Sequence, residues 1–298
     1  LSGQLFDPTI TSKPVNQICM SVDAPKMDGR LDKVVAIAKV AGKKILEHYE
    51  LSDVKVTSKD DNTPLTEADL AANDIIIQQL KSLSPELPIL TEESCGIPFA
   101  ERNEWNTYWL VDPLDGTREF IKHSGEFSVN IALIENGVSV LGVVHAPVLD
   151  VTYSACRGCG AWKQTSDEVP ESISVRTAPE KGVTVARSSA PLTGGLLTRF
   201  LEKLGEYKVV SMGSALKSCL VAEGRADVYA KLGPTGEWDT GAAQCIVEEA
   251  GGHITDTNMR ELRYNTKDSL LNPHFFVFGA GDHNWSDYLE PLMVGKRR

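Results

Sequence analysis

Asp112 and Asp115 flank Pro113-Leu114 and are followed at once by Gly116 and Thr117, after the apolar run Trp109-Leu110-Val111. Two carboxylates this close repel each other and are costly to dehydrate unless a cation lies between them. Hard cations of the Mg²⁺ class prefer carboxylate, carbonyl and water oxygens. Pro113 removes a backbone donor and fixes φ, so a strand ending at the acids is expected. Gly116 allows the backbone to pass close to a ligand, and Thr117 can open a short helical turn, Thr117 to Lys122, whose free N–H groups favour an anion. The pattern suits a metal held against a phosphate. The simpler reading is a type I turn, with Asp112 as strand stop and Asp115 or Thr117 as helix cap. Further acids shift the balance: Asp69 in a helix first turn, Glu92-Glu93 after a short strand, and Asp239 between Trp238 and Thr240. Asp69 also fits a capping box with Thr66, and Asp239 also fits an N-cap.

The elements that must position these acids follow from periodicity. Arg30 to Tyr49 reads as a helix with Val34, Ile37, Ala38, Ala41 and Ile45 on one face. After a polar loop, Lys59 to Pro64, a second helix capped at Thr66 should turn Ala71, Ile75, Ile76 and Leu80 inward. Ile89-Leu90 is a short strand running into Glu92. Phe127 to Ile134, the Asn136-Gly137 turn and Val138 to His145 form a hairpin. A further strand pair reaches Lys163, completing two helices against a largely antiparallel sheet. The polar stretch 163–179 marks the expected boundary. Beyond it, strands at 183–187, 208–212, 226–230, 253–255 and 275–278 alternate with helices at 193–204, 214–223 and 239–250. The expected organisation is an irregular arm over 1–28, an α+β half over 29–165, and a smaller α/β half over 166–298 that closes the cleft. The fold class is therefore an α+β and α/β layered sandwich.

A chain of 298 residues, 42% hydrophobic and 24% charged, is ordinary globular material. A net charge of −11 argues against a nucleic-acid polymer or an anionic membrane as partner. It leaves room for a small anionic substrate, because bound cations reverse the local sign. No apolar run is long enough to span a membrane. The first 28 residues carry Asp7, Lys13, Asp23 and Lys26 without an apolar block, so no secretory signal is expected there, and the initial Leu1 suggests a trimmed start. Six scattered cysteines read as reduced thiols in a cytoplasmic compartment. Cys156 and Cys159 form the one CxxC, but at a Gly-rich turn between strands and without a second ligand pair, so a structural role is expected.

Glu92-Glu93, Asp112-Pro-Leu-Asp115-Gly-Thr117 and Trp238-Asp239, in that order, resemble the signature of the inositol monophosphatase superfamily of Mg²⁺-dependent, lithium-sensitive phosphatases. The resemblance covers nearly everything from residue 30 on. Within it, Leu114 to Phe120, Met212 to Lys217, Leu220 to Gly224, Gly233-Pro-Thr and Leu271-Asn-Pro273 look like the CysQ-type 3′(2′),5′-bisphosphate nucleotidases. The Cys156/Cys159 turn and the first 28 residues lie outside these stretches. The resemblance implies metal ligands Glu92, Asp112, Asp115, Asp239 and the Leu114 carbonyl, holding two or three Mg²⁺. It implies that Asp69 and Thr117, with Glu92 in the catalytic set, orient and deprotonate the attacking water. Gly116 and Thr117 would cradle the phosphoryl oxygens, and Gly213, Ser214 and Lys217 would face the nucleotide. The implied reaction removes the 3′-phosphate of adenosine 3′,5′-bisphosphate, or its phosphosulfate form, to give AMP. Inositol 1,4-bisphosphate is a further candidate substrate, and either a monomer or a homodimer is compatible.

Four other readings compete. A haloacid dehalogenase-type phosphatase needs its nucleophilic Asp two residues before the second acid, where this chain has Pro113. An EF-hand needs further oxygen ligands at alternate positions after Val111, and they are missing. An inositol phosphatase is the alternative within the superfamily, although Gly233-Pro-Thr-Gly236 offers no acid to hold inositol hydroxyls. A binding or sensing protein that keeps the fold without turnover is a reading of a different class; all the expected carboxylates and Thr117 are present, so nothing in the sequence argues for lost chemistry, and phosphate release decides it.

Overall fold

The structure is a computed structural model that describes residues 29–50, 56–58, 64–281 and 283–289. The expected arm over 1–28 and most of the expected polar loop, 59–63, lie outside the described residues.

The first two helices form as their periodicity predicts, with one shift of face. α1 (Arg30–Tyr49) buries Leu31, Val34, Ile37, Ala38, Ala41 and Ile45. A two-stranded ribbon, β1 (Val56–Ser58) and β2 (Pro64–Thr66), leads into α2 (Glu67–Leu83). α2 buries Ala68, Ala72, Ile76 and Leu80, an unbroken i, i+4 row. Ala71 and Ile75, expected inside, are half-buried because they lie one position off that row.

Both helices lie on one face of a seven-stranded sheet, ordered β3 (Ile89–Thr91), β4 (Thr107–Asp115), β5 (Ser128–Glu135), β6 (Val138–Ala146), β7 (Val151–Cys156), β8 (Ala161–Thr165) and β9 (Glu171–Ile173). β3 and β4 are parallel and every other pair is antiparallel. Side chains alternate between two cores. Trp109, Val111, Val129, Ile131, Leu133 and Val143 face α1 and α2. Tyr108, Leu110, Ala132, Ile134, Val144 and Ala146 face the opposite way. Strands buried on both faces explain why these stretches are apolar almost without interruption. β9 carries the sheet past residue 165, through a stretch whose polar composition pointed to a boundary.

A short helix, α3 (Phe99–Arg102), joins β3 to β4, and α4 (Thr117–Ile121) follows β4. The second core is shared with α6 (Leu216–Ala222) and α7 (Trp238–Glu249). On the far side of these helices lies a five-stranded sheet, ordered β11 (Tyr207–Ser211), β10 (Val183–Arg187), β12 (Val228–Lys231), β14 (Phe275–Phe278) and β13 (His253–Asp256). Its outer face packs on Phe200 and Leu201 of α5 (Leu196–Leu204) and on Trp285. The result is five alternating layers, with helices outside, between and outside again.

α7 sits unusually close to the first sheet. A Cβ on Gly142 would lie 2.1 Å from the Ala242 carbonyl oxygen, so only glycine allows β6 to carry that helix. This contact brings the start of α7, with Asp239, over the strand that carries Asp112.

Cys156 and Cys159 are joined by a disulfide across the β7–β8 turn, so the expectation of reduced thiols does not hold for this pair. The turn is also held by Glu249, whose carboxylate accepts from Gly158 N–H and Gly160 N–H at 2.9 Å each. Cys219 and Cys245 are buried and take no part in a disulfide.

Candidate active site

The site starts from a bulge. β4 does not stop at Pro113; it continues to Asp115 with a break in register, Asp112 pairing with Asn130 and Asp115 with Ser128. Three positions on β4 thus span two on β5, which bends the strand and re-aims its side chains. Pro113 is tolerated because the bulge takes its missing donor out of the ladder. The Leu114 N–H then donates to Asp112 Oδ1 at 3.0 Å, fixing that carboxylate. Gly116 follows at φ 96°, a left-handed turn that starts α4 at Thr117.

Glu92 comes from a single 3₁₀ turn, Glu92–Ser94, after β3, braced by a 2.8 Å hydrogen bond between the Thr91 and Ser94 hydroxyls. Asp239 comes from the first turn of α7, and its Oδ2 accepts from the Gly236 N–H at 3.0 Å. Carboxylate oxygens of Glu92, Asp112 and Asp239 all lie within 4.8 Å of one another. Three sequence-distant acids therefore converge where β3 ends, β4 bulges and α7 begins.

Electrostatics show the cost. Asp112 is held well above the usual carboxylate range, first by burial, then by repulsion from Glu92, Asp115, Asp239 and Asp69. Asp239 is pushed up to about 8 by burial and by Asp115 and Glu92. Asp115 is also raised by burial, partly offset by Lys217 and by the Ala215 N–H. These acids cannot all ionise together unaided. An all-carboxylate donor set of hard oxygens fits a hard divalent cation, which would relieve both the repulsion and the desolvation.

Beside the cluster lies a hydroxyl–carboxylate pair. Asp69 is 1% exposed; its Oδ1 accepts from the Thr117 hydroxyl at 3.2 Å, and its Oδ2 accepts from the Thr66 N–H at 2.8 Å. The capping box is formed as well. The Thr117 hydroxyl also lies 3.4 Å from the Leu114 carbonyl oxygen.

The expected nucleotide wall is folded inward. Ser214 adopts φ 48° and its hydroxyl accepts from Ser128 Oγ at 3.2 Å. Lys217 is 9% exposed; its ammonium donates to the Ser214 carbonyl at 2.7 Å and lies 5.3 Å from the Tyr229 ring centroid. Burial lowers its pKa to about 8 against the opposing pull of Asp115. Gly213 is buried against Glu126, where a Cβ would meet a backbone oxygen at 2.3 Å. Lys217 is thus next to the acid cluster rather than projecting from it.

Two further residues act on these acids. Asn130, 1% exposed on β5, donates through Nδ2 to Asp115 Oδ2 at 3.3 Å and accepts from Ser128 Oγ at 2.9 Å. A lone amide inside the apolar run Val129 to Ile134 was the available signal. Lys231, at the end of β12, acts electrostatically on both Lys217 and Asp239, a proximity with no signal in residue type or spacing.

Fold and site together define a layered α/β chain of the metal-dependent phosphatase type, and the chain belongs to the inositol monophosphatase family, whose model matches residues 28–280. Among particular proteins it is similar to the 3′(2′),5′-bisphosphate nucleotidase CysQ of Escherichia coli K12, 46% identical over 248 residues, 83% of this chain and 98% of that protein. CysQ of Haemophilus influenzae is 40% identical over 256 residues, covering 86% and 94%. The crystal structure of CysQ from Bacteroides thetaiotaomicron superposes with a TM-score of 0.74 at 37% identity, covering 86% of this chain and 99% of that one.

Proposed function

We propose that this protein is a metal-dependent phosphomonoesterase that removes the 3′-phosphate of adenosine 3′,5′-bisphosphate, giving AMP and inorganic phosphate. The phosphosulfate form and inositol 1,4-bisphosphate are further candidate substrates. The observation that carries the reading is the match, at 40–46% identity over nearly their whole length, to proteins named 3′(2′),5′-bisphosphate nucleotidase. Structural neighbours named inositol monophosphatase stand lower, at 22–27%.

Glu92, Asp112, Asp115, Asp239 and the Leu114 carbonyl would hold the metal, read as two or three Mg²⁺. When bound, the metal supplies charge neutralisation for the phosphoryl oxygens and the leaving group, and makes water a better nucleophile. The chain's own residues do the rest. Thr117 Oγ accepts a proton from the attacking water while passing its own to Asp69 Oδ1, a transfer that the 3.2 Å contact allows. Water oxygen forms a bond to phosphorus, the bond to the ribose 3′ oxygen breaks, and that oxygen takes a proton from solvent. Gly116 and Thr117 cradle the phosphoryl group. Gly213 shapes the Ser214 turn, and Ser214 and Lys217 present positive potential toward the second phosphate.

Lithium inhibition and a cytoplasmic setting belong to the same proposal. Among the described residues no helix is long and apolar enough to cross a membrane. Both a monomer and a homodimer are compatible with the proposal. The test is phosphate release from adenosine 3′,5′-bisphosphate in Mg²⁺, with inositol 1-phosphate alongside.

A further inference from the structure

Asp239 stands at the head of a helix, but what fixes its carboxylate comes from 33 positions further along the chain. The Gly236 N–H that bonds Asp239 Oδ2 belongs to the peptide unit between Thr235 and Gly236. The carbonyl of that same unit, Thr235 O, accepts from the Asn272 N–H at 2.9 Å. The next peptide unit is gripped too: the Asn272 side-chain amide donates to the Gly236 carbonyl at 2.6 Å and to the Thr240 hydroxyl at 3.0 Å. One residue therefore holds both peptide planes on either side of Gly236 and the first turn of α7. Hydrogen bonds in series polarise one another, so the bond into Thr235 O strengthens Gly236 N–H as a donor to the carboxylate. Residue 236 must be glycine for this grip, because the Trp238 indole lies 2.3 Å from where its Cβ would be.

The segment that delivers Asn272 is itself braced. Arg102, 1% exposed at the end of α3, donates to Asn265 Oδ1 at 2.5 Å, to the Lys267 carbonyl at 3.1 Å and to the Asp268 carbonyl. The Glu237 N–H donates to Leu270 O at 2.9 Å. Arg102 lies ten residues after Glu92, so the brace connects the segments that carry two of the clustered acids.

We propose that Asn272 is a positioning residue for metal binding: its side-chain amide ties the Gly236 carbonyl to the Thr240 hydroxyl and so holds the turn before α7, keeping the Gly236 N–H on Asp239 Oδ2 and leaving the other carboxylate oxygen to the cluster. The inference rests on the metal-dependent reading above. Outer partners of metal-ligating carboxylates control affinity by roughly 10–100-fold.

The experiment is Mn²⁺ titration of the full chain, followed by electron paramagnetic resonance of free Mn²⁺, on the unmodified protein, Asn272→Ala and Asn272→Leu. Leucine fills the asparagine's volume without its donors, and both variants keep the main-chain N–H. The expected result is Mn²⁺ affinity weakened about 10–100-fold in both variants. Melting temperatures should fall by no more than about 5 °C. Affinities equal to that of the unmodified protein, whatever the melting temperature does, overturn the inference and leave the metal reading standing. Loss confined to the alanine variant assigns the effect to volume and also overturns it. An unmodified protein that binds no Mn²⁺ overturns both.

Discussion

Thr117 donates its hydroxyl proton to Asp69 Oδ1 at 3.2 Å, across 48 positions of sequence, while the other oxygen of Asp69 stays on Thr66. The helix-cap reading and the catalytic reading of Asp69 are therefore compatible, because each carboxylate oxygen has its own task. α2 is anchored by Oδ2, which leaves Oδ1 aimed past the helix end toward the bulge of β4.

That division of labour separates two mutants. Asp69→Asn should fold and lose kcat by about 10²–10⁴-fold, the range for a positioned general base. Thr66→Ala should instead cost about 1 kcal/mol of stability, with kcat reduced much less. Steady-state kinetics and thermal melts on the pair check this; equal loss of kcat in both would remove Asp69 from the chemistry.

The acid cluster should behave as a destabilising element without metal. Removing one charge from Asp112, buried among four other acids, leaves the core packing intact. Asp112→Asn and Asp239→Asn should each abolish activity. Melts in excess chelator should show Asp112→Asn at least as stable as the unmodified protein. Added Mg²⁺ should raise the melting temperature of the unmodified protein alone.

pH dependence follows from Asp239. Its folded value, about 8, lies above the ordinary 3.8, so the folded state binds more protons than the unfolded state between those limits. Stability contributed by the protonated acid is present below about 4 and is lost as pH rises through about 8. The metal-free protein should therefore melt at falling temperature across that window, once carboxylates elsewhere are accounted for by an Asp239→Asn control. Saturating Mg²⁺ should flatten the difference between the two proteins.

Lys217→Ala tests the nucleotide wall. Losing a charged hydrogen bond to phosphate at a partly buried site costs ~1.5–3 kcal/mol, roughly tenfold to a hundredfold in kcat/KM for adenosine 3′,5′-bisphosphate. Inositol 1-phosphate, which lacks a second phosphate, should be turned over at nearly the same slow rate. Equal losses on both substrates would assign Lys217 to Asp115, its electrostatic neighbour in the folded protein.

Much of the architecture was legible because most elements obey one period each. β10 and β14 span the residues expected of them, and α1 does so along its whole length. What escaped reading has physical causes. β9 is an exposed edge strand whose residues carry no apolar alternation, so Glu171–Ile173 looked like linker. Pro113 suggested a strand end, yet a bulge lets the ladder resume at Asp115. Glu92, Asp112 and Asp239 could be found by type and order, and the fold brings them together. Asn272 could not, since a single amide gains meaning only from the peptide it touches, and that peptide lies 36 positions away.

The most direct measurement is the ratio of kcat/KM for adenosine 3′,5′-bisphosphate to that for inositol 1-phosphate, from phosphate release in Mg²⁺ and again in excess chelator. The account predicts a ratio of at least about ten, the discrimination expected from one charged contact, and no turnover of either substrate in chelator. Faster release from inositol 1-phosphate, or turnover undiminished by chelator, would contradict it.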